Sequence, residues 1–346
     1  MAFTKHDRVQ AALQGKGVDR PPVAAWKHFL PEEKSAKNFI DASVAFARDY
    51  DWDWLKINPR ATYYAETFGN VYDYDTYTGV MPKLKARSIN SPEDLSRLEA
   101  EKASHPILSQ QVKAIASIRK SLRDMPIIQT VFSPLSVLQF LTVGLGSPNG
   151  THDAGSDYSV LQLLLRDHPR QVKDALSAIT ETLRGYTAAA IDAGADGVFF
   201  AIVRLAREGA LTHEQYLEFE KPYDLDVLQG AKRGIFNVLH TCGAKVYFDA
   251  AEDYPVHAVN WAAHAKGNPS LAEAQARLNK AVMGGVEEAT EFSRADPTSI
   301  QAQATAAIRA AGKGKFLLAP GCAVDPDVPA SHLRSLRKAV ESTSTN

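Results

Sequence analysis

The sequence has little cysteine, no long apolar run and no excess of one charge. Two of its 346 residues are cysteine, too few for a disulfide framework in so long a chain, and this favours a reducing compartment. The 39 basic and 40 acidic side chains give a formal net charge of −1, without the Lys/Arg block typical of nucleic-acid binding. No apolar run approaches the roughly 18 residues that cross a bilayer, and the N-terminus lacks the apolar core of a signal peptide. We therefore expect a cytoplasmic protein that binds neither nucleic acids nor membranes.

Short runs of β-branched or aromatic residues alternate eight times with longer segments of helical period. This alternation is typical of parallel strands joined by helices, and eight repeats favour a closed (β/α)8 TIM barrel of the α/β class over an open sheet. Such barrels often exceed the usual domain length, so residues 1–346 are predicted to form a single domain. The predicted strands cover residues 23–27, 54–58, 127–132, 197–202, 236–240, 256–261, 281–285 and 316–319.

Two stretches interrupt this alternation and are interpreted as insertions after the second and third strands. Residues 59–125 are too long for one loop and one helix, and their tyrosine-rich part up to residue 84 predicts an extra hairpin and helix. Residues 143–158 are rich in Gly, Ser, Asn and Asp and are interpreted as a lid. Both follow predicted strands, on the face where barrels keep their active sites. The alternative is that both are spacers and that the tyrosines only fill space.

The two cysteines and one histidine fall at the ends of predicted strands. His240 ends the predicted fifth strand and Cys242 lies just beyond it, and because alternate residues of an extended chain face the same side, both could contact one ion if the chain stays extended. Cys322 follows the eighth strand, and closure of a barrel would bring it to the same rim. A histidine with two thiolates is a ligand set that Zn²⁺ uses in catalytic sites, with a fourth position left open. The alternative is that the cysteines are small buried apolar residues and that the histidine is only hydrogen-bonded.

Candidates for substrate contacts lie near the same strand ends. Arg204 follows the fourth strand and Lys56 lies in the second, so either could bind an acidic group of a substrate or form a salt bridge at the rim. Aromatic side chains at these ends are expected to form the apolar wall of a pocket. Asn260 is expected to donate or accept hydrogen bonds rather than react. The predicted substrate-binding residues are Trp26, Lys27, His28, Asn58, Phe199, Arg204 and Trp261.

Two further residues are predicted to be catalytic. Glu287, the first of the pair Glu287-Glu288, follows two glycines after the seventh strand, where it could complete a metal shell or accept a proton. The start of a solvated helix is the alternative for this pair. His264 follows the sixth strand, on the side of the other candidates.

The chain resembles the uroporphyrinogen decarboxylase superfamily over nearly its whole length. Five stretches carry the resemblance, and each lies at a predicted strand: Val-Asp-Arg-Pro-Pro-Val at 18–23, Phe-Ser-Pro-Leu at 132–135, Gly-Ala-Asp-Gly at 194–197, Leu-His-Thr-Cys-Gly at 239–243 and Leu-Ala-Pro-Gly-Cys at 318–322. The resemblance implies a (β/α)8 fold, in agreement with the strand count.

The superfamily contains two chemistries, and the residues here resemble one of them more. The decarboxylases proper carry an Arg-Gln-Ala-Gly-Arg-Tyr segment after the first strand, where this chain reads Trp-Lys-His-Phe-Leu-Pro at 26–31 and lacks both arginines. The thiol methyltransferase branch, which serves corrinoid proteins and coenzyme M, binds zinc through a His-x-Cys and a distant Cys, and this chain has all three. The resemblance therefore implies that His240, Cys242 and Cys322 bind Zn²⁺. No Asp-x-His-x-x-Gly segment is present, so any corrinoid would arrive on a separate protein.

From these observations we expect zinc-dependent transfer of an alkyl (methyl) group to a small-molecule thiol. The donor would be a corrinoid protein or a small alkylated molecule. One alternative is metal-independent decarboxylation of a carboxylated aromatic or tetrapyrrole substrate, and another is a non-catalytic barrel that binds a metal or a corrinoid partner. A homodimer is compatible with the sequence, which carries no motif that sets the oligomeric state.

Overall fold

A parallel sheet of seven strands lies at the centre of the computed structural model, which describes residues 3–143, 145, 157–293, 296–312 and 314–341. The strands are β1 Leu55–Ile57, β2 Val71–Thr78, β3 Met81–Ala86, β4 Ile127–Phe132, β5 Gly197–Ile202, β6 Val238–Thr241, β7 Ala258–Trp261, β8 Ala281–Val286 and β9 Phe316–Pro320. The helices are α1 Lys5–Gln14, α2 Ala36–Asp49, α3 Tyr63–Thr67, α4 Pro92–Leu95, α5 Pro106–Ser121, α6 Pro134–Thr142, α7 Ser159–Asp167, α8 Pro169–Asp192, α9 His213–Phe219, α10 Lys221–Gln229, α11 Leu271–Arg277, α12 Thr298–Ala311 and α13 Ala330–Ala339, with short 3₁₀ helices at Glu32–Lys34 and Phe248–Asp253.

The central sheet runs in the order β1-β4-β5-β6-β7-β8-β9, and every neighbouring pair is parallel. Helices connect successive strands of this sheet, which confirms the α/β class. Every residue of β5, β6 and β7 is buried, as expected for parallel strands that are covered on both faces. Seven of the eight predicted strands are therefore present, with bounds shifted by at most two residues.

The strand predicted over residues 23–27 is wrong, because only Val23 pairs with the sheet. Val23 forms an isolated parallel bridge with Leu318 of β9, and its carbonyl oxygen accepts a hydrogen bond from the N–H of Asp53 (3.0 Å), two residues before β1. The two prolines that precede it have no N–H to extend a ladder. Further along, the carbonyl of Trp26 accepts from the N–H of Val324 in the loop after β9 (3.0 Å). This irregular segment therefore contacts both edges of the seven-stranded sheet.

The residues between β1 and β4 include the predicted hairpin. Strands β2 and β3 pair antiparallel, and they are flanked by the helices α3 and α4. Tyr63 and Tyr64 of α3 are buried and donate hydrogen bonds to the carbonyl of Thr130 in β4 (3.1 and 2.9 Å), so these two tyrosines pack against the sheet. The lid predicted at residues 143–158 falls mostly outside the residues that the structure describes and stays a prediction.

Close contacts between strands explain one glycine in the core. A Cβ atom on Gly197, the first residue of β5, would lie 2.1 Å from the carbonyl oxygen of Phe236. Only glycine lets the chain before β6 approach β5 so closely.

Among the helices in the described part of the chain, none is both long and apolar enough to cross a membrane.

Candidate metal centre

The side chains of His240, Cys242 and Cys322 meet at the carboxyl end of the sheet. His240 is the third residue of β6, Cys242 follows that strand directly, and Cys322 lies two residues after β9. The two sulfur atoms are 3.7 Å apart, and Nε2 of His240 lies 3.6 Å from Sγ of Cys322. All three potential ligand atoms lie within 4.8 Å of one another. The expected convergence of these residues is confirmed, and both cysteines are free thiols.

The spacing of these atoms fits a tetrahedral zinc ion. Zinc lies about 2.3 Å from a thiolate sulfur and about 2.0 Å from an imidazole nitrogen, so tetrahedral angles place two sulfur ligands about 3.8 Å apart and a sulfur and a nitrogen about 3.5 Å apart. The sulfur–sulfur separation of 3.7 Å and the nitrogen–sulfur separation of 3.6 Å are close to these two values. The residues present therefore suit zinc in ligand type and in these two separations.

Asn260 determines which nitrogen of His240 faces the cysteines. Its amide Nδ2 donates to the carbonyl oxygens of Met283 (3.0 Å) and Pro320 (3.1 Å) on the two following strands, so its Oδ1 is left to face Nδ1 of His240 at 2.6 Å. An amide oxygen only accepts, so Nδ1 of the imidazole carries the proton and Nε2 offers a lone pair towards Cys322. Such an orienting partner is characteristic of metal-ligating histidines.

The two thiols influence each other's ionisation. The hydrogen bond from Cys322 lowers the pKa of Cys242 against the opposing effect of burial, and the positive charge of Arg204 acts in the same direction as the hydrogen bond. The same interaction, together with burial, raises the pKa of Cys322. One thiolate beside one thiol is the arrangement expected without a metal, because two adjacent negative charges repel each other. A dication bound between them would allow both cysteines to ionise.

Lys56 is a buried cation beside this cluster, and its signal in the sequence is weak. Its side chain in β1 is 6% exposed, and its Nζ donates to Oδ1 of Asn58 and lies 4.7 Å from the ring centre of Phe199. The Phe199 ring is in turn 5.2 Å from the imidazole of His240. Burial lowers the pKa of Lys56 to about 7, against the opposing charge of Cys322. Within the ranges that the structure describes, no carboxylate forms a salt bridge with Lys56. In the sequence, the signal for a functional lysine here is a charged residue within an otherwise apolar strand.

The predicted aromatic wall is present in part. Trp26 and Phe199 are buried, with ring centres 5.1 Å apart, and Nζ of Lys56 lies over both. The Trp261 ring packs instead against Phe248 at 4.7 Å, and its N–H donates to a loop carbonyl. Ring contacts therefore connect Trp26 and Phe199, but not Trp261, to the cluster.

Of the polar residues predicted to bind substrate, Arg204 lies beside the cluster, whereas Lys27 and His28 contact neighbouring loops. Burial lowers the pKa of Arg204, but the hydrogen bond and charge of Cys242 outweigh it and raise that pKa, which places the guanidinium beside the cluster. Lys27 donates to the carbonyl of Pro326 (2.5 Å), and Nδ1 of His28 lies 3.7 Å from a carboxylate oxygen of Glu33. These contacts direct Lys27 and His28 towards neighbouring loops.

The two residues predicted to be catalytic are engaged by backbone groups. The carboxylate of Glu287 accepts hydrogen bonds from the N–H groups of Ala289, Thr290 and Glu291 (2.9, 2.7 and 3.0 Å). Nε2 of His264 lies 3.1 Å from the carbonyl oxygen of Gly285. The Glu287 carboxylate therefore stabilises the turn that follows it. A catalytic role for Glu287 or His264 stays a prediction.

Glu288 is the member of the glutamate pair that lies near the cluster. A Cβ atom on Gly321, the residue before Cys322, would lie 2.6 Å from Oε2 of Glu288. Burial raises the pKa of Glu288, and the negative charge of Cys242 adds to this effect. The sequence showed both glutamates after β8 but did not show which one faces the cysteines.

The fold and the site together define an α/β protein with a His-Cys-Cys cluster at the carboxyl end of a curled parallel sheet. The chain belongs to the uroporphyrinogen decarboxylase (URO-D) family, whose sequence model matches residues 4–343. This confirms the family that the sequence motifs indicated.

Individual relatives match over nearly the full length at low identity. A uroporphyrinogen decarboxylase from Saccharophagus degradans is 23% identical, over 98% of this chain and 98% of that protein. The solved structure of a methyltransferase from Methanosarcina mazei has a TM-score of 0.79 at 17% identity, covering 99% of both chains. A B12-independent methionine synthase from Shewanella sp. W3-18-1 has a TM-score of 0.56 at 13% identity, covering 90% of this chain and 88% of that chain. The two structural likenesses show that the fold is shared.

Proposed function

We propose that this protein is a zinc-dependent enzyme of the thiol methyltransferase branch, built on a closed (β/α)8 barrel. It transfers an alkyl group, a methyl group in the simplest case, to a small-molecule thiol from a corrinoid protein or a small alkylated donor. The observation that carries the proposal is the convergence of His240, Cys242 and Cys322, whose sulfur–sulfur and nitrogen–sulfur separations of 3.7 and 3.6 Å fit two edges of a zinc tetrahedron. The similarity to the Methanosarcina mazei methyltransferase along the whole chain supports the same reaction class.

Three ligands leave one position for the reacting molecule. Structural zinc sites usually have four protein ligands, so a set of three favours catalysis. A bound Zn²⁺ lowers the pKa of a thiol that enters the fourth position, which makes a thiolate available near neutral pH.

The surrounding residues suit an anionic sulfur and an apolar alkyl group. Two thiolates offset the charge of the dication, so an additional thiolate leaves one net negative charge, and Lys56 and Arg204 are the cations beside it. Trp26 and Phe199 form an apolar wall that excludes water from the reacting carbon. In the transfer, the sulfur forms a bond to the alkyl carbon while the bond from that carbon to the donor breaks, and the donor atom keeps the electron pair.

Zinc content and thiol consumption test this function together. Protein purified without chelator should contain about one zinc per chain and consume free thiol in the presence of a methyl donor. The variants Cys242→Ala and Cys322→Ala should lose both properties. Thr241→Val is the matched control: it lies between two proposed ligands, and its buried hydroxyl has no hydrogen-bond partner among the residues that the structure describes, so zinc should be retained. Cysteine variants with full zinc content would contradict the proposal.

Metal-independent decarboxylation is the second candidate. The Saccharophagus degradans relative, which matches nearly the whole chain, is called uroporphyrinogen decarboxylase, and the buried cation of Lys56 suits a substrate carboxylate. This function would release CO2 from a carboxylated aromatic or tetrapyrrole, unaffected by a chelator or by loss of either cysteine. Release of CO2 that depends on neither zinc nor Cys322 would support decarboxylation over alkyl transfer.

A further inference from the structure

Cys242 and Cys322 are the only two cysteines of the chain, and their sulfur atoms are neighbours. The sulfurs lie 3.7 Å apart, although the two residues are separated by 80 positions in the sequence. Both side chains are free thiols and are half-buried, so a small solute can reach them. Any disulfide that forms within one molecule of this protein must therefore join this pair.

A disulfide requires only a short approach of the two sulfurs. The S–S bond is about 2.0 Å long, so a gap of about 1.7 Å must close. Cys242 lies just beyond the end of β6, and its N–H meets the carbonyl oxygen of Ile202 only at 3.4 Å. Gly243 follows with φ 101°, a conformation that glycine adopts without a steric penalty. Rotation of the cysteine side chains and a small shift of this loop would bring the sulfurs within bonding distance.

Two neighbours of the sulfurs suit an oxidation reaction. Nε2 of His240, which carries no proton because Nδ1 donates to Asn260, lies 3.6 Å from Sγ of Cys322 and can accept the thiol proton. The guanidinium of Arg204 hydrogen-bonds to Cys242. Arginine is a permanent cation, so it stabilises negative charge on an oxygen that departs from this sulfur.

We infer that a hydroperoxide, such as hydrogen peroxide, oxidises Cys242 and Cys322 of the metal-free protein to a reversible disulfide that abolishes the metal site. One cysteine sulfur attacks a peroxide oxygen, the O–O bond breaks, and the cysteine becomes a sulfenic acid while water leaves. The second sulfur attacks the sulfenic sulfur, the S–S bond forms, and the sulfenic oxygen leaves as water. The two thiols give up two electrons and two protons, which reduce the peroxide to two molecules of water.

The disulfide and a bound zinc ion exclude each other. Zinc requires two thiolate sulfurs about 3.8 Å apart, whereas the sulfurs of a disulfide are uncharged and about 2.0 Å apart. This consequence rests on the proposed function, but formation of the disulfide does not. Oxidation would switch the enzyme off, and a reducing thiol would restore it, which is the use that cytosolic proteins make of reversible disulfides.

Peptide mass spectrometry tests the disulfide without any assay of activity. After the metal-free protein is treated with hydrogen peroxide, the peptides that contain residues 242 and 322 should be cross-linked and about 2 Da lighter than their sum. Dithiothreitol should reverse this change. Cys242→Ser is the matched control, because its single thiol should stop at a sulfenic acid that dimedone traps. Disulfide-linked dimers of the natural protein, or a gain of about 32 Da on either cysteine peptide, would overturn the inference.

Zinc binding tests whether the disulfide abolishes the metal site. In competition with a chromophoric chelator, the oxidised protein should bind zinc at least about 100-fold more weakly than the reduced protein. Because only metal-free protein reacts, free zinc at about 100 times its Kd should slow disulfide formation about 100-fold. Full zinc affinity after oxidation, or an undiminished rate in saturating zinc, would overturn the mutual exclusion. Reduced protein that binds no zinc would contradict the proposed function, while the cross-linked peptides still decide whether the disulfide forms.

Discussion

Asn260 shows how one buried side chain can set the chemistry of another residue. Its two amide hydrogens are used by the carbonyls of Met283 and Pro320, so only its oxygen remains for His240. The imidazole is thereby held as the tautomer that presents Nε2 to the cysteines.

Removing Asn260 should weaken the metal site without touching a ligand. In Asn260→Ala the ring of His240 loses its orienting partner, and we expect zinc affinity to fall by about 10- to 100-fold. Competition with a chelator measures this affinity, with Thr241→Val as the control of similar position. Unchanged affinity in Asn260→Ala would show that the histidine needs no orienting partner.

Lys56 gives the stability of the metal-free protein a pH dependence. Burial lowers its pKa from 10.5 to about 7, so the unfolded chain holds this proton more tightly than the folded one. The folded state therefore carries the full cost of the buried charge at pH values below about 7, and that cost disappears as the pH rises through the ordinary lysine pKa.

Lys56→Met should accordingly stabilise the metal-free protein, most at low pH. We expect a gain in the free energy of unfolding of a few kcal/mol near pH 6, which shrinks steadily above pH 7 and vanishes above about pH 10.5. Urea unfolding of the two proteins between pH 6 and 10 measures the difference. A gain that grows with pH would contradict this assignment of the pKa.

At the residue scale, the sequence predicted the three residues of the His-Cys-Cys cluster better than it predicted their surroundings. His240, Cys242 and Cys322 were found because the only two cysteines fall at predicted strand ends. Whether Glu287 or Glu288 faces the site depends on the course of the chain after β8, which no local pattern encodes. Similarly, the burial of Lys56 depends on rings contributed by distant strands.

At the scale of the strands, register brings the site together. Direct pairing of His240 with Asn260 places these two side chains next to each other, and direct pairing of Val286 with Pro320 does the same for the two chain segments that carry Glu288 and Cys322. The strands themselves were predictable from their apolar runs, whereas register was not, because every residue in β6 and β7 is buried and no alternation distinguishes one pairing from the next.

Gly321 is where this arrangement is most sensitive to a small change. Gly321→Ala would place a methyl group 2.6 Å from Glu288 and 2.8 Å from the Ala262 backbone, so the Cys322 loop must shift. We expect a loss of about 1–3 kcal/mol in the free energy of unfolding and weaker zinc binding. Gly17→Ala is the control, because a Cβ atom there has open space. Urea unfolding and zinc titration of both variants provide the comparison, and equal behaviour would contradict the close approach.

At the scale of the whole molecule, Asp53 joins the amino-terminal segment to the sheet. Its fully buried carboxylate accepts hydrogen bonds from Arg8 (2.8 Å), Arg20 (2.6 Å) and the N–H of Val23 (2.8 Å). Val23 in turn bridges to Leu318, so the first and last parts of the chain meet at this network. The strand count indicated that these parts would be neighbours, but the pairing between them is a single bridge at Val23.

Asp53→Ala should therefore be strongly destabilising. The variant leaves the buried Arg8 with Asp19 as its remaining carboxylate partner and removes the carboxylate that pairs with the half-buried Arg20, and we expect a loss of about 3–5 kcal/mol in the free energy of unfolding. The exposed Asp41, paired with Lys37 on the surface of α2, provides the control Asp41→Ala, for which the loss should be below about 1 kcal/mol. Urea unfolding measures both, and a similar small loss in each would show that Asp53 does not hold the molecule together.

Zinc-edge X-ray absorption of the purified protein tests the central claim most directly. Two sulfur atoms at about 2.3 Å and a nitrogen at about 2.0 Å from the zinc are expected for ligation by Cys242, Cys322 and His240, with one sulfur lost in Cys322→Ala. A first shell without sulfur, or an identical shell in the variant, would contradict the account.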